Sequence, residues 1–162
     1  MSQTVTVGIA DLNVVCAPDL LVTYALGSCV GICLYDNISK IAGLSHILLP
    51  CSKDIASASG QTMKFADTAI PHLINEMMKK GARQVCLKAK IAGGAQMFTG
   101  INNSSIANIG QRNVLAVKAE LIRLHIPILA EDTGKDYGRT LYFSAEDGSM
   151  RIKSVNKGEW IW

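Results

Sequence analysis

The sequence has 162 residues, of which 49% are hydrophobic and 18% charged, and its net charge is +3. This composition excludes the disordered class and predicts a single domain over residues 1–162. The densest basic stretch, 79–90, contains no aromatic residue that could stack on bases, so we do not expect nucleic acid as a partner. The N-terminus lacks signal-peptide character and no apolar run is long enough to cross a bilayer, so we expect neither export nor membrane insertion.

Strand patterns come first along the chain. Val5, Val7 and Ile9 alternate with smaller or polar residues, and 20–24 is rich in strand-forming residues, which predicts two early strands. The apolar runs 30–35 and 41–48 flank Asp-Asn-Ile-Ser, a sequence that favours a tight turn. We therefore predict a hairpin over 30–48.

Helical periodicity follows. The segment 62–80 places Phe65, Ala69, Leu73 and Met77 on one stripe, and Gly81 is expected to end this helix. A second helix is predicted after Asn108, which can act as its cap. Further strands are predicted at 84–91, from 126, and in a closing hairpin over 139–144 and 149–155. This order predicts an α/β (α+β) fold in which helices pack on a mixed sheet.

The cysteines are five in number and none forms a Cys-x-x-Cys pair or a zinc-site spacing with histidine. Reduced thiols in the cytoplasm are the simplest explanation. Gly93 and Gly94 lack the spacing of a nucleotide-binding loop and are better explained by a tight turn. The segment 132–136 lacks the distal glutamate of a calcium loop. We expect no metal and no cofactor.

The predicted hairpin places a cysteine near a histidine. If Asn37 and Ile38 form a two-residue loop, Cys29 lies directly opposite His46, on the same face of the sheet. An imidazole at that position can lower the pKa of the thiol and produce a nucleophilic thiolate. The pair therefore predicts a cysteine hydrolase with Cys29 as nucleophile and His46 as base.

Neighbouring residues can complete such a site. Gly27 and Ser28 precede the cysteine in a turn, where the glycine permits unusual dihedral angles and consecutive N–H groups can face an oxyanion. Thr23 is placed to orient His46. The structural alternative is that Cys29 and His46 are ordinary core residues, because free cysteine is often buried. For His72 and His125 we favour structural roles.

The run 23–30 (TYALGSCV), with 34–36 (LYD) and 44–50 (LSHILLP), resembles the signature of the CheD family of chemoreceptor glutamine deamidases. Further similar segments are 66–71, 93–98, 109–113, 132–134 and 138–140, so the resemblance covers nearly the whole chain. It implies a layered fold similar to that of deamidating bacterial toxins. It also implies an active site of Cys29, His46 and Thr23 that converts receptor glutamines to glutamate through a thioester.

The same resemblance implies partners. They are the cytoplasmic helices of chemoreceptors, as substrate, and CheC, a phosphatase for the phosphorylated response regulator. An alternative function is therefore a binding module that regulates a CheC-type phosphatase. Met97 and Phe98 follow the glycine turn and are candidate partner contacts, although a core role is the competing interpretation.

Overall fold

The structure is a computed structural model that describes residues 1–54, 60–97 and 108–162. It has two α-helices and ten strands among these residues. The helices are α1 (Ala66–Lys79) and α2 (Ile109–Arg123). The strands are β1 (Thr4–Thr6), β2 (Asp11–Cys16), β3 (Leu20–Leu26), β4 (Val30–Asp36), β5 (Ile41–Ile47), β6 (Leu87–Gly93), β7 (Ile128–Thr133), β8 (Arg139–Ser144), β9 (Met150–Ser154) and β10 (Gly158–Ile161).

The strands form two five-stranded mixed sheets. The central sheet has the order β2-β5-β4-β6-β7, and the outer sheet has the order β1-β3-β8-β9-β10. One face of the central sheet packs on α1 and α2, and its other face packs on the outer sheet. Every residue of β4 and β5 is consequently buried, which explains their continuous apolar runs. The predicted α+β class is confirmed, with the strands divided between two sheets.

Most predicted elements are present. The stripe of Phe65, Ala69, Leu73 and Met77 is buried against the central sheet, and Gly81 follows α1 with φ +113°. Two strands were not predicted from the sequence patterns, namely β2 and the short β10. Neither helix is long and apolar enough to span a membrane within the described ranges.

The β4–β5 hairpin has a four-residue loop, which differs from the predicted two-residue loop. Asp36 continues the strand and pairs with Ile41, and its buried carboxylate accepts hydrogen bonds from the N–H groups of Ile38 and Ser39. These bonds stabilise the longer loop. The pairing is shifted by two residues as a result, and His46 lies opposite Gly31. The predicted direct pairing of Cys29 with His46 is wrong.

Candidate active site

Thr23 and His46 meet at the interface between the two sheets. Thr23 lies on β3 of the outer sheet, His46 lies on β5 of the central sheet, and both are fully buried. The hydroxyl oxygen of Thr23 lies 2.7 Å from His46 Nδ1 and 2.7 Å from the carbonyl oxygen of Val7. A carbonyl can only accept, so the hydroxyl proton is donated to Val7 and Nδ1–H of His46 donates to the hydroxyl oxygen. This assigns the lone pair of the neutral imidazole to Nε2.

The Nε2 atom of His46 is buried and has no hydrogen-bond partner among the described residues. Burial lowers the pKa of the imidazole to about 4, because desolvation disfavours its charged form. The ring is therefore neutral at physiological pH. Its unpaired nitrogen can accept a proton, as a general base must.

Cys29 lies just before β4, in the apolar layer between the sheets. It precedes Gly31, the cross-strand partner of His46, by two residues, so the predicted shared face is retained despite the shifted pairing. Diagonal positions on neighbouring strands have backbones roughly 7–8 Å apart, farther than the directly opposed positions that were predicted. The structure thus brings Thr23 and Cys29 to the same layer as His46, with no hydrogen bond between thiol and imidazole.

The thiol of Cys29 is protonated in this environment. Burial raises its pKa, and the backbone N–H of Cys29 itself opposes this rise only in part. The expected lowering of the thiol pKa by a paired imidazole is therefore not observed. The resting site contains a neutral thiol and a neutral imidazole, an arrangement suited to proton transfer during attack.

The glycine turn at the end of β6, residues 93–95, holds the loop of residues 27–29 that contains the cysteine. The N–H of Gly94 donates to the carbonyl of Cys29 at 2.8 Å, and the N–H of Ala95 donates to the carbonyl of Gly27 at 2.8 Å. Gly93 has φ +113°, and a Cβ atom there would lie 2.2 Å from the Cys29 carbonyl oxygen. Only glycine fits this position, so the turn predicted to be structural also sets the backbone of Cys29.

Gly27 was predicted to have unusual dihedral angles and an N–H that faces an oxyanion, and the structure shows neither feature. Its φ is not positive, the left-handed conformation being taken by Ala25 at φ +59°. The Gly27 N–H donates to the Ala25 carbonyl at 3.1 Å and is not free to bind an oxyanion. A Cβ atom on Gly27 would lie 3.3 Å from Met97 Cγ, so the glycine makes room for that methionine. Met97 is 44% exposed, whereas Phe98 lies outside the described residues.

Asn113 on α2 is a site residue that the residue patterns did not indicate. Its buried Nδ2 donates to the carbonyl oxygens of Ser28 at 2.9 Å and Leu48 at 3.1 Å. Two sequence signals were available, namely a polar residue four positions before Val117 on the buried stripe of the helix and the end of the family-like segment 109–113. Within the described part of the chain, no group of three or more His, Cys, Asp or Glu side chains is arranged to hold a metal.

The thiol and the imidazole are the groups that a cysteine hydrolase uses, and comparison with known proteins gives the family. The family model described as "CheD chemotactic sensory transduction" matches residues 48–154. A "Probable chemoreceptor glutamine deamidase CheD" from Caldanaerobacter subterraneus subsp. tengcongensis is 54% identical, covering 97% of this chain and 96% of the relative. The "Chemoreceptor glutamine deamidase CheD" of Halalkalibacterium halodurans is 48% identical, covering 98% of both chains. The chain belongs to the CheD family.

One solved structure shows a weaker similarity. The crystal structure of the Bacillus licheniformis hypothetical protein YfiH aligns with 70% of this chain and 46% of its own, at 13% identity and a TM-score of 0.37. The family-model match starts after Thr23, Cys29 and His46. These three residues lie in the part of the chain that the full-length relatives cover.

Proposed function

We propose that this chain is a cytoplasmic chemoreceptor glutamine deamidase, which hydrolyses the side-chain amide of receptor glutamines to glutamate and ammonia. The observation that carries the proposal is identity of about half the residues, over nearly the whole length, to relatives with that name. The neutral thiol and neutral imidazole in one buried layer supply the groups that this hydrolysis needs.

The first half of the reaction forms a thioester. The sulfur of Cys29 attacks the amide carbon of the glutamine side chain while its proton passes to Nε2 of His46. The protonated imidazole then donates that proton to the amide nitrogen, and ammonia leaves as the carbon–nitrogen bond breaks. Because Nδ1–H already donates to Thr23, Nε2 is the nitrogen that accepts and returns the proton.

The second half restores the enzyme. A water molecule gives a proton to Nε2 of His46 and attacks the thioester carbon. The carbon–sulfur bond breaks, the sulfur regains a proton, and the product is a glutamate side chain. Each cycle consumes one water, releases one ammonia and adds one negative charge to the receptor.

Thr23 has a supporting role in this proposal. Its hydroxyl bridges the Val7 carbonyl and Nδ1 of His46, which fixes both the ring orientation and the tautomer. When the imidazole becomes positively charged during attack, the same oxygen accepts a stronger hydrogen bond from Nδ1–H. Thr23 therefore acts through His46 and makes no contact with the substrate.

Met97 is the partner contact that we propose. Its exposed side chain lies beside Gly27, two residues before the nucleophile. An apolar contact here suits a receptor helix or a CheC-type phosphatase that docks at the same cleft. Met97→Ala should weaken the binding of both the receptor and CheC, and CheC should inhibit deamidation competitively. Inhibition that is independent of receptor concentration contradicts a shared cleft.

The test of the function is incubation with a purified chemoreceptor cytoplasmic fragment, followed by peptide mass spectrometry and an ammonia assay. Specific glutamines should become glutamates at a rate proportional to enzyme, and one ammonia should appear per glutamine converted. Cys29→Ala serves as the control for spontaneous deamidation. Equal conversion with the wild type and with this variant would reject the proposal.

A further inference from the structure

Asn113 connects the two loops that carry the reacting groups. The NH2 group of its side chain donates one hydrogen bond to the Ser28 carbonyl, at 2.9 Å, and one to the Leu48 carbonyl, at 3.1 Å. Ser28 immediately precedes Cys29, and Leu48 follows His46 by two residues. One amide group thus ties the nucleophile loop to the end of the strand that carries the base.

The same helix also contacts the turn that holds Cys29. A Cβ atom at Gly110 would lie 2.4 Å from the carbonyl oxygen of Ala95, so α2 lies directly against the glycine turn. That turn donates hydrogen bonds to the carbonyls of Gly27 and Cys29. Three consecutive residues, Gly27 to Cys29, therefore have their carbonyl oxygens held by donors from the glycine turn and α2.

The hydrogen bond to Ser28 fixes a particular peptide group. In a trans peptide the C=O and the following N–H point in opposite directions, so a Ser28 carbonyl held toward Asn113 directs the Cys29 N–H away from it. Burial raises the pKa of the Cys29 thiol, and the backbone N–H of the same residue offsets that rise in part. A backbone N–H beside the nucleophile is placed where negative charge develops on the attacked carbonyl.

We propose that Asn113 is a positioning residue for deamidation, which holds the Ser28–Cys29 peptide so that the Cys29 N–H stabilises the oxyanion of the tetrahedral intermediate. The inference rests on the proposed function of the chain. The Cys29 N–H takes the place of the Gly27 N–H, which is bound to Ala25, as the donor beside the nucleophile.

The unpaired oxygen of Asn113 supports a role beyond packing. Its Oδ1 is buried and has no hydrogen-bond partner among the described residues. Burying an unsatisfied acceptor costs stability, and an apolar side chain of similar size would avoid that cost. An apolar residue could not donate the two hydrogen bonds that the NH2 group makes to the Ser28 and Leu48 carbonyls.

The test compares wild type with Asn113→Leu and with Asn113→Ser, the latter being short and less disruptive. With a chemoreceptor cytoplasmic fragment as substrate, kcat should fall on the order of 10- to 100-fold and KM should change little, because misplacement affects the transition state. Glu120→Gln is the matched control, since Glu120 is buried on the same helix and bonds only Arg123 among the described side chains. Its kcat should remain within about twofold of wild type.

A second readout needs no receptor. The rate at which iodoacetamide alkylates Cys29 is measured as a function of pH. The midpoint of this profile should lie at higher pH in Asn113→Leu and Asn113→Ser, because the released N–H no longer stabilises the thiolate. The other titratable residues of the layer that contains Cys29, namely Cys33, Tyr35 and His46, are unchanged in both variants. Residues 1–39 contain no Lys or Arg, so one tryptic peptide carries Cys16, Cys29 and Cys33. A Cys16→Ser background and fragment-ion localisation are therefore needed.

The outcomes separate this inference from the proposed function. If Asn113→Ser, confirmed as folded by its thermal transition, keeps wild-type kcat and the wild-type labelling profile, the positioning role is overturned. The same conclusion follows if lost activity tracks only the unfolded fraction and returns on cooling. If Cys29→Ala retains activity, the proposed function itself fails, whatever Asn113 does.

Discussion

Thr23 Oγ1 lies 2.7 Å from His46 Nδ1, and the hydrogen-bonding direction set by the Val7 carbonyl makes the histidine the donor. We therefore predict that Thr23→Val lowers kcat on the order of 10- to 1000-fold, because the tautomer with Nε2 as acceptor is no longer favoured. Thr23→Ser keeps the oxygen and should retain most of the activity. Ammonia release from receptor fragments measures both variants, and equal losses in the two would contradict the role of the hydroxyl.

Cys29 and Cys33 form an internal comparison, since both thiols lie in the layer between the sheets. Burial raises the pKa of Cys33 well above its usual range, and its side chain is fully buried. We predict that Cys29→Ala abolishes deamidation while Cys33→Ala keeps it, with each losing about 1 kcal/mol of stability. Activity assays at a temperature below both thermal transitions test this. An active Cys29→Ala enzyme would exclude Cys29 as the nucleophile.

The pH dependence of activity should reflect the neutral resting pair. The pKa of His46 is about 4 because of burial, and burial raises that of Cys29. The reactive form, a protonated thiol beside an uncharged imidazole, therefore dominates from about pH 5 through neutrality. We predict that kcat/KM is flat over this range and declines only towards pH 4, provided circular dichroism shows a folded enzyme. An acid limb centred near the unperturbed histidine pKa of 6.5 would be inconsistent with this site.

The same histidine links stability to pH. Its pKa is about 4 in the folded protein and 6.5 unperturbed, so between these values the unfolded state binds more protons. Stability should therefore fall as the pH drops from 6.5 towards 4, by roughly 2–3 kcal/mol from this residue. Urea unfolding of wild type and His46→Gln at neutral pH and at a pH of about 4.5 isolates the contribution of the histidine. Parallel losses in both proteins would show that other groups cause the decline.

In the β4–β5 hairpin, the sequence predicted the strands but not their register. The apolar runs predicted both strands, but the register was wrong because the carboxylate of Asp36 stabilises a four-residue loop. Cys29 and His46 still share a face because a shift of two residues preserves the alternation of side chains. A shift of one would have separated them.

Long-range hydrogen bonds were beyond the reach of sequence patterns. Asn113 contacts Ser28 across 85 positions, and the N–H of Gly94 reaches the carbonyl of Cys29 from a distant part of the chain. Periodicity describes which face of an element is buried, not which carbonyl a buried amide will meet. The neutral state of the thiol likewise depends on burial between two sheets where the sequence suggested one.

Gly93 provides the most direct test of how the nucleophile is held. A Cβ atom at this position would lie 2.2 Å from the carbonyl oxygen of Cys29, which is backbone and cannot move aside without moving the nucleophile. We predict that Gly93→Ala reduces deamidation on the order of 100-fold or more, since displacing a reacting group by about 1 Å has effects of that size. The variant should also be less stable, from both this contact and the strain at φ +113°.

Gly158 supplies the control because it has a similar backbone conformation, φ +104°, and a Cβ atom added there would meet no described atom within 4 Å. Gly158→Ala carries the conformational strain alone, about 1 kcal/mol, and should keep its activity. Thermal unfolding and ammonia release on both variants separate strain from displacement. If the two variants lose the same stability and both remain active, the contact between Gly93 and Cys29 does not position the nucleophile. If only Gly93→Ala loses activity while still folded, the glycine turn is part of the catalytic framework.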